Sequence, residues 1–241
     1  MIKELSIIFP LYNEEKRLKN TFTEIIKFKK RLKKRKIEII FIDDGSDDKS
    51  KILIDKFIVK SESQNFKIKN FKLKKNMGKG YALKEGVRKS SKKWTLTTDI
   101  DLSVPLSQIF IWEKNKLFKD KKIIFGSRNL KNSKVEKNFI RYILGKIFNF
   151  FVKTILNISL FDTQCGFKVY QTRIAKKLFS KLTHYGFTHD LELVLILKNM
   201  KIPIIELPVK WTHKAGSKVS IFIDPLRMFI NILYLRFKYF L

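Results

Sequence analysis

Hydrophobic positions in this chain fall into short, β-branched runs that alternate with longer stretches of mixed polarity. Residues 5–10 (Leu-Ser-Ile-Ile-Phe-Pro) read as a buried strand closed by Pro10, and residues 37–42 read as a second. Residues 66–73, 94–98 and 123–125 continue the series. Helical stretches separate them. One opens at Tyr12-Asn13-Glu14-Glu15 and runs towards Arg35, and a second is capped by Ser46 or Asp47. A third covers residues 81–89, and a fourth starts near Pro105. Such alternation predicts an α/β chain whose sheet is mostly parallel and covered by helices on both faces. Ligands of such sheets gather outside the carboxyl ends of the strands.

Four successive strand candidates end in loops that carry chemistry. After the first come Pro10, Tyr12 and Glu14, and after the second Asp43-Asp44-Gly45-Ser46. The third leads to Asn76-Met77-Gly78-Lys79-Gly80, and the fourth to Asp99-Ile100-Asp101. If strand geometry persists past Thr98, Asp99 and Asp101 point to the same side. Two close carboxylates repel unless a cation lies between them, and a hard divalent ion such as Mg²⁺, which also holds phosphates, suits that place. The simpler alternative is a helix cap and a surface acid. Gly78-Lys79-Gly80 lacks the spacing of a Walker loop or a dinucleotide fingerprint. Its glycines still allow backbone N–H groups to approach an anion, with Lys79 adding charge. Glu14 equally suits the first turn of a helix, where acids complement the dipole.

Two later stretches are apolar over most of their circumference. In residues 139–160 the polar Arg141, Lys146, Asn149, Lys153 and Asn157 fall within an arc of roughly 160°. In residues 224–241 Asp224, Arg227, Asn231 and Lys238 share a narrow face, with Arg236 opposite. Wide apolar faces with aromatic residues and basic flanks suit a membrane interface, and packing on the sheet or a partner is the alternative. No stretch has the roughly 18 to 20 uncharged apolar residues of a membrane-spanning helix, and no secretory signal is visible.

With 241 residues the chain can bury a substantial core. Its net charge of +30 has two explanations. One is attraction to an anionic membrane or polyanion. The other is compositional bias, since all but nine of the 52 basic residues are lysine. No aromatic-basic recognition motif accompanies the charge, so nucleic acid is not expected as a partner. The single cysteine, Cys165, excludes an internal disulfide, fits a reducing compartment and reads as a packing residue. His184, His189 and His213 have no metal-site spacing.

The loops, in this order, resemble the family-2 glycosyltransferases of GT-A (Rossmann-like) fold. The later segments Asp162-Thr163-Gln164-Cys165-Gly166-Phe167-Lys168, Asp190-Leu191-Glu192-Leu193 and Trp211-Thr212-His213-Lys214-Ala215-Gly216-Ser217-Lys218 are similar to those of dolichyl-phosphate β-glucosyltransferases and their polyprenyl-phosphate relatives. The resemblance runs from Ser6 to about Tyr239. It implies a catalytic domain over 1–217, including an interface helix at about 137–160, and a C-terminal amphipathic helix over 218–241. It implies that Pro10, Tyr12, Glu14, Asp43 and Asp44 hold the base and ribose of a nucleotide-sugar, and that Asn76, Gly78 and Lys79 close over it. Asp99 and Asp101 would bind Mg²⁺ or Mn²⁺ with the diphosphate. Arg128 and Arg141 match positions that bind the acceptor phosphate, and Asp190 matches the acid of a Phe-Asp-x-Glu pattern whose first residue is His189 here. Ser103 stands where related mannosyltransferases carry glutamine.

The expected reaction is inverting transfer of glucose from UDP-glucose to a polyprenyl phosphate, by a peripheral enzyme on the cytoplasmic face of a membrane. An acceptor phosphate is already anionic near neutral pH, so no strong general base is required. Mannose transfer from GDP-mannose, or transfer to a sugar hydroxyl, are the enzymatic alternatives. A non-catalytic basic protein for membranes or nucleic acid is the alternative of another class.

Overall fold

In the computed structural model the described residues are 2–32, 34–115, 123–136, 139–186, 188–214 and 223–240, with backbone only for 139–144 and 223–226. A seven-stranded sheet organises the chain. Its strands are β1 (Glu4–Leu11), β2 (Lys36–Asp43), β3 (Phe66–Lys72), β4 (Trp94–Thr97), β5 (Ile123–Ser127), β7 (Lys168–Gln171) and β8 (Ile205–Pro208), in the order β3-β2-β1-β4-β7-β5-β8. Between β5 and β7 in the chain lies β6 (Lys134–Val135), which pairs in parallel with β9 (Lys210–Trp211) as a small second sheet. Within the large sheet every pairing is parallel except those of β7, which runs against both β4 and β5. The mostly parallel α/β sheet is therefore present, with one reversed strand the hydrophobic pattern did not reveal.

Alternation along the central strands splits the core into two layers. Ile7, Phe9, Ile39 and Phe41 face one layer, which is closed by α1 (Glu15–Lys29), α2 (Ser50–Ser61) and α4 (Gln108–Lys114). Ile8, Ile40 and Ile42 face the other, which is closed by α3 (Lys79–Lys89), α5 (Phe139–Leu156), α6 (Thr172–Ser180), α7 (His189–Asn199) and α8 (Ile223–Phe240). Strands buried on both faces are apolar at successive positions, as β1 and β2 are.

Several expected boundaries shift. Pro10 does not end β1, which continues to Leu11. The neighbouring β4 stops with Thr97 opposite Ile8, so Pro10 lies past the stretch flanked by two strands and its missing N–H is tolerated. Helix α1 ends at Lys29 rather than near Arg35. Neither Ser46 nor Asp47 caps α2, whose cap position is Lys49. The apolar stretch after residue 139 is helical only to Leu156.

Candidate active site

Parallel pairing of β1 with β2 sets Leu11 opposite Asp43, so the first two loops leave the sheet at one level. They are stitched together by Asn13, in the left-handed region at φ 51° that asparagine tolerates. Its N–H donates to Ser46 Oγ at 2.8 Å, and its Oδ1 accepts the Asp47 N–H at 2.9 Å. Asp43 Oδ1 accepts the Ser46 N–H at 2.7 Å. Its Oδ2 is buried with no hydrogen-bond partner among the described residues. A buried carboxylate oxygen left open is costly unless something donates to it, so this strand end offers an acceptor to a ligand.

Asp44 has the different task of fastening the third loop. Its two carboxylate oxygens accept the N–H groups of Met77 and Gly78, both at 2.8 Å. Burial pushes the Asp44 carboxyl up, and those two donors only partly offset it. Gly45 permits the approach: at φ +79°, a Cβ there would stand 2.7 Å from the Lys75 carbonyl carbon. Tyr12 is half-buried and Asn76 exposed beside these loops, while Pro10 is buried within β1. Glu14 turns to its own helix, pairing with Arg17 at 3.3 Å, as the helix-turn reading expected.

Lys79 opens α3 and donates to Asp99 Oδ1 at 2.5 Å. The premise that placed Asp99 and Asp101 on one face does not hold, because β4 stops at Thr97. Beyond it the chain turns, with the Leu102 N–H donating to Asp99 O at 3.2 Å and Leu102 at φ 50°. Asp101 Oδ1 accepts the Ser103 N–H at 2.9 Å. The turn nevertheless keeps both carboxylates within electrostatic reach of the Lys79 ammonium. Burial works against the charge on both partners of the Lys79–Asp99 pair. Their mutual attraction prevails, holding Asp99 below the usual carboxylate range and Lys79 above its own. Asp99 lies against Gly166, where a Cβ would stand within 2.3 Å of Oδ2.

No group of three or more acids, histidines or cysteines placed to hold a metal ion is present among the described residues. The donor set therefore does not form an all-protein cage. It fits an ion such as Mg²⁺ that takes one or two carboxylates and fills its remaining positions with substrate phosphate and water.

Across the cleft from Asp99, Arg128 follows β5 and shares the lining with Ser103, Gln164 and Trp211. Asp162 clamps this arginine, accepting its Nε at 2.7 Å, its Nη2 at 2.9 Å and its N–H at 2.9 Å. Asp162 is fixed in turn: Glu206 accepts the N–H groups of Phe161 and Asp162, both at 2.8 Å. Asp162 and Glu206 carry no candidate role in the sequence reading. The heptapeptide pointed to the first, and nothing in the sequence pointed to the second. Burial pushes the Cys165 thiol up to about 12, which keeps it inert and fits a packing role. Arg141 lies on α5, with its side chain outside the described residues.

Asp190 sits behind the cleft, at the start of α7. Lys168, itself 1 % exposed, donates to Asp190 Oδ1 at 2.6 Å. Burial opposes the Asp190 charge, but the positive charges of His189 when protonated, Lys168 and Lys79 outweigh it and hold the acid low. Burial pushes His189 down. Its Nδ1 lies 2.8 Å from Gly186 O. The structure thus places Asp99 and Arg128 on one cleft, with Lys79 bound to Asp99, Asp101 further along the same turn, Asp190 held by the buried Lys168, and Asp43 and Asp44 at the end of β2.

A mostly parallel sheet flanked by helices, with Lys79, Asp99 and Arg128 beside its strand ends, has the GT-A fold. The family model described as Glycosyl transferase family 2 matches residues 6–179, and the chain belongs to that family. It is 36% identical to the dolichyl-phosphate beta-glucosyltransferase of Dictyostelium discoideum, over 98% of this chain and 75% of that protein. Identity to the Homo sapiens protein of the same name is 34%, over 98% and 76%. Among solved structures, the mannosyltransferase PcManGT from Pyrobaculum calidifontis, in complex with GDP-Man and Mn²⁺, superposes with a TM-score of 0.63 at 14% identity. That match covers 97% of this chain and 63% of the mannosyltransferase. Mannosyl-3-phosphoglycerate synthase from Rubrobacter xylanophilus gives a TM-score of 0.64 at 14% identity, over 97% and 74%. These two establish the fold.

Proposed function

We propose that this glycosyltransferase moves glucose from UDP-glucose to a polyprenyl phosphate, with inversion at the anomeric carbon, at the cytoplasmic surface of a membrane. The observation that carries the reading is the cleft itself, which Asp99, held by Lys79, lines together with the clamped guanidinium of Arg128. Similarity to dolichyl-phosphate beta-glucosyltransferases over nearly the whole chain supports the choice of sugar and acceptor.

On this reading the open Oδ2 of Asp43 accepts an N–H of the base, and Pro10 and Tyr12 border the ribose and base. Gly78 and Asn76 belong to the loop that covers the nucleotide, and Lys79 offsets charge on the departing diphosphate. Asp99 and Asp101 hold Mg²⁺ or Mn²⁺, which supplies Lewis-acid neutralisation of that diphosphate. Arg128, fixed by Asp162, orients the acceptor phosphate opposite the leaving group, and Arg141 is proposed for the same task. A phosphate oxygen needs no deprotonation to attack. Asp190 accordingly needs no free proton-accepting role. Sealed against Lys168, it contributes a fixed negative charge beneath Lys79.

Membrane contact fits the outer surface of α8, where Ile230, Leu233, Tyr234 and Phe237 recur at helical spacing and are exposed. Ile147 and Phe150 of α5, which packs on α8 through Phe151 and Phe229, extend the apolar area. No helix among the described residues is long and apolar enough to cross a membrane.

The test is a panel of radiolabelled sugar nucleotides against polyprenyl phosphate in vesicles. A chloroform-soluble, acid-labile product from UDP-glucose is expected. A product with GDP-mannose alone would reject glucose, and an unchanged yield from Asp101→Asn would reject the catalytic assignment altogether.

A further inference from the structure

Lys238, which the helical pattern assigns to the polar face of α8, is exposed along its stem but turns its ammonium to a buried acid. Its Nζ lies 2.7 Å from Oε1 of Glu192 on α7, and it also donates to Thr183 Oγ1. Glu192 is fully buried. The same oxygen accepts the Tyr239 hydroxyl at 2.9 Å and Thr183 Oγ1 at 2.7 Å, and Oε2 accepts the N–H groups of Thr183 at 3.0 Å and His184 at 2.7 Å. Every donor comes either from the end of α8 or from the segment at Thr183 and His184. That segment leads directly to Tyr185, whose carbonyl accepts the Gly80 N–H at 2.9 Å. The fit there is tight: a Cβ on Gly78 would stand 2.6 Å from Tyr185 O, and one on Gly80 2.9 Å from Tyr185 Cα.

We propose that Glu192, Lys238 and Tyr239 form a positioning cluster for the donor site, through which the C-terminal helix sets the seat of the Gly78-Lys79-Gly80 loop. The loop is held at two points. Asp44 fixes its front through Met77 and Gly78, and Tyr185 supports its back. The front anchor directly follows β2. The back anchor stands on an irregular segment whose two N–H groups and one hydroxyl are gathered by a single carboxylate, and two of that carboxylate's partners are lent by α8. Releasing α8 therefore frees the support of the loop that carries Lys79 while leaving the sheet intact. None of the three residues is among those assigned to the proposed substrates. The inference rests on reading that loop as the nucleotide's.

The experiment compares Lys238→Met, Lys238→Arg, Tyr239→Phe and Ile232→Ala by calorimetric titration with UDP and Mn²⁺, alongside thermal melts. Ile232 is buried on α8 and its apolar side chain makes none of the cluster's hydrogen bonds, so its truncation loosens the helix by a cavity. Lys238→Met and Tyr239→Phe are expected to weaken UDP about three- to tenfold, with Lys238→Arg restoring most of it. In turnover assays the loss is expected in KM for the sugar nucleotide, with kcat largely kept. UDP affinity equal to wild type in Lys238→Met would overturn the proposal. So would an equal loss in Ile232→Ala at matched destabilisation, which would reduce the effect to general loosening. Failure of the wild type to bind UDP or any other nucleotide would instead remove the donor-site reading beneath it.

Discussion

Gly166 shows how little room the site leaves. Its Cα is the wall against which the Asp99 carboxylate rests, and an alanine there would overlap both oxygens, at 2.3 and 2.8 Å. Asp99 is also gripped by Lys79, so it cannot retreat without breaking that pair. Gly166→Ala is expected to lower turnover at least tenfold while shifting the melting temperature little, because the displaced group is a partly exposed carboxylate rather than core; activity and melting measured on one preparation check this. Lys168 makes the opposite case. Removing its ammonium strands Asp190 in the interior, and Lys168→Met is expected to cost about 3–5 kcal/mol in urea unfolding. Adding Asp190→Asn to that variant should recover part of the loss, since no charge is then left unpaired. A double-mutant cycle showing simple additivity would contradict the coupling.

At the scale of elements, the hydrophobic pattern identified β1, β2, β3 and β4 and the loops that follow them, since strands buried on both faces leave uninterrupted apolar runs. It did not reveal β7, whose sequence Lys-Val-Tyr-Gln starts with a lysine that is nonetheless interior. What permits Lys168 to be buried is Asp190, 22 residues away, and no local window contains that partner. The turn after β4 was obscured for a related reason. Its geometry depends on Leu102 adopting a left-handed conformation, which nothing in that residue's type announces. Asp99 and Asp101 therefore do not share a strand face, contrary to the premise on which they were paired. The third loop can be tested as an element. Asp44→Asn keeps the shape but replaces two charge-assisted acceptors with one neutral oxygen and one NH₂ group that cannot accept. It is expected to weaken UDP binding about tenfold, read by calorimetry, while the hydrogen bond of Asp43 to the Ser46 N–H stays in place.

For the molecule as a whole, acid stability is tied to the same carboxylates that order the site. Burial alone would raise Glu192; the hydrogen bond from Lys238, the His184 N–H and both donors of Thr183 instead hold it at about 2. A carboxyl with a depressed value in the folded state binds fewer protons than the unfolded chain. Its stabilisation is thus fully present above the unfolded value of about 4.5 and is lost as the pH falls towards 2. Asp190, Asp99 and Asp162 are displaced in the same direction, each by positively charged neighbours working against burial, so their losses fall in the same acid range. Histidine acts in the same direction, at higher pH. Burial lowers His184 and His189, so protonation of either on mild acidification also favours unfolding, beginning at higher pH than the carboxylates. Stability measured by urea titration at several pH values is therefore expected to decline gently below neutrality and steeply below about pH 4.5. Glu192→Gln should be less stable than wild type near neutral pH yet show a shallower slope through the acid limb, because its amide has no proton to gain. Parallel curves for the two proteins would mean that the α7–α8 junction carries no charge-dependent share of the fold. Since that junction also supports the loop bearing Lys79, the steep limb should be preceded by loss of nucleotide affinity, detected as weaker UDP binding at a pH where the wild-type chain is still folded.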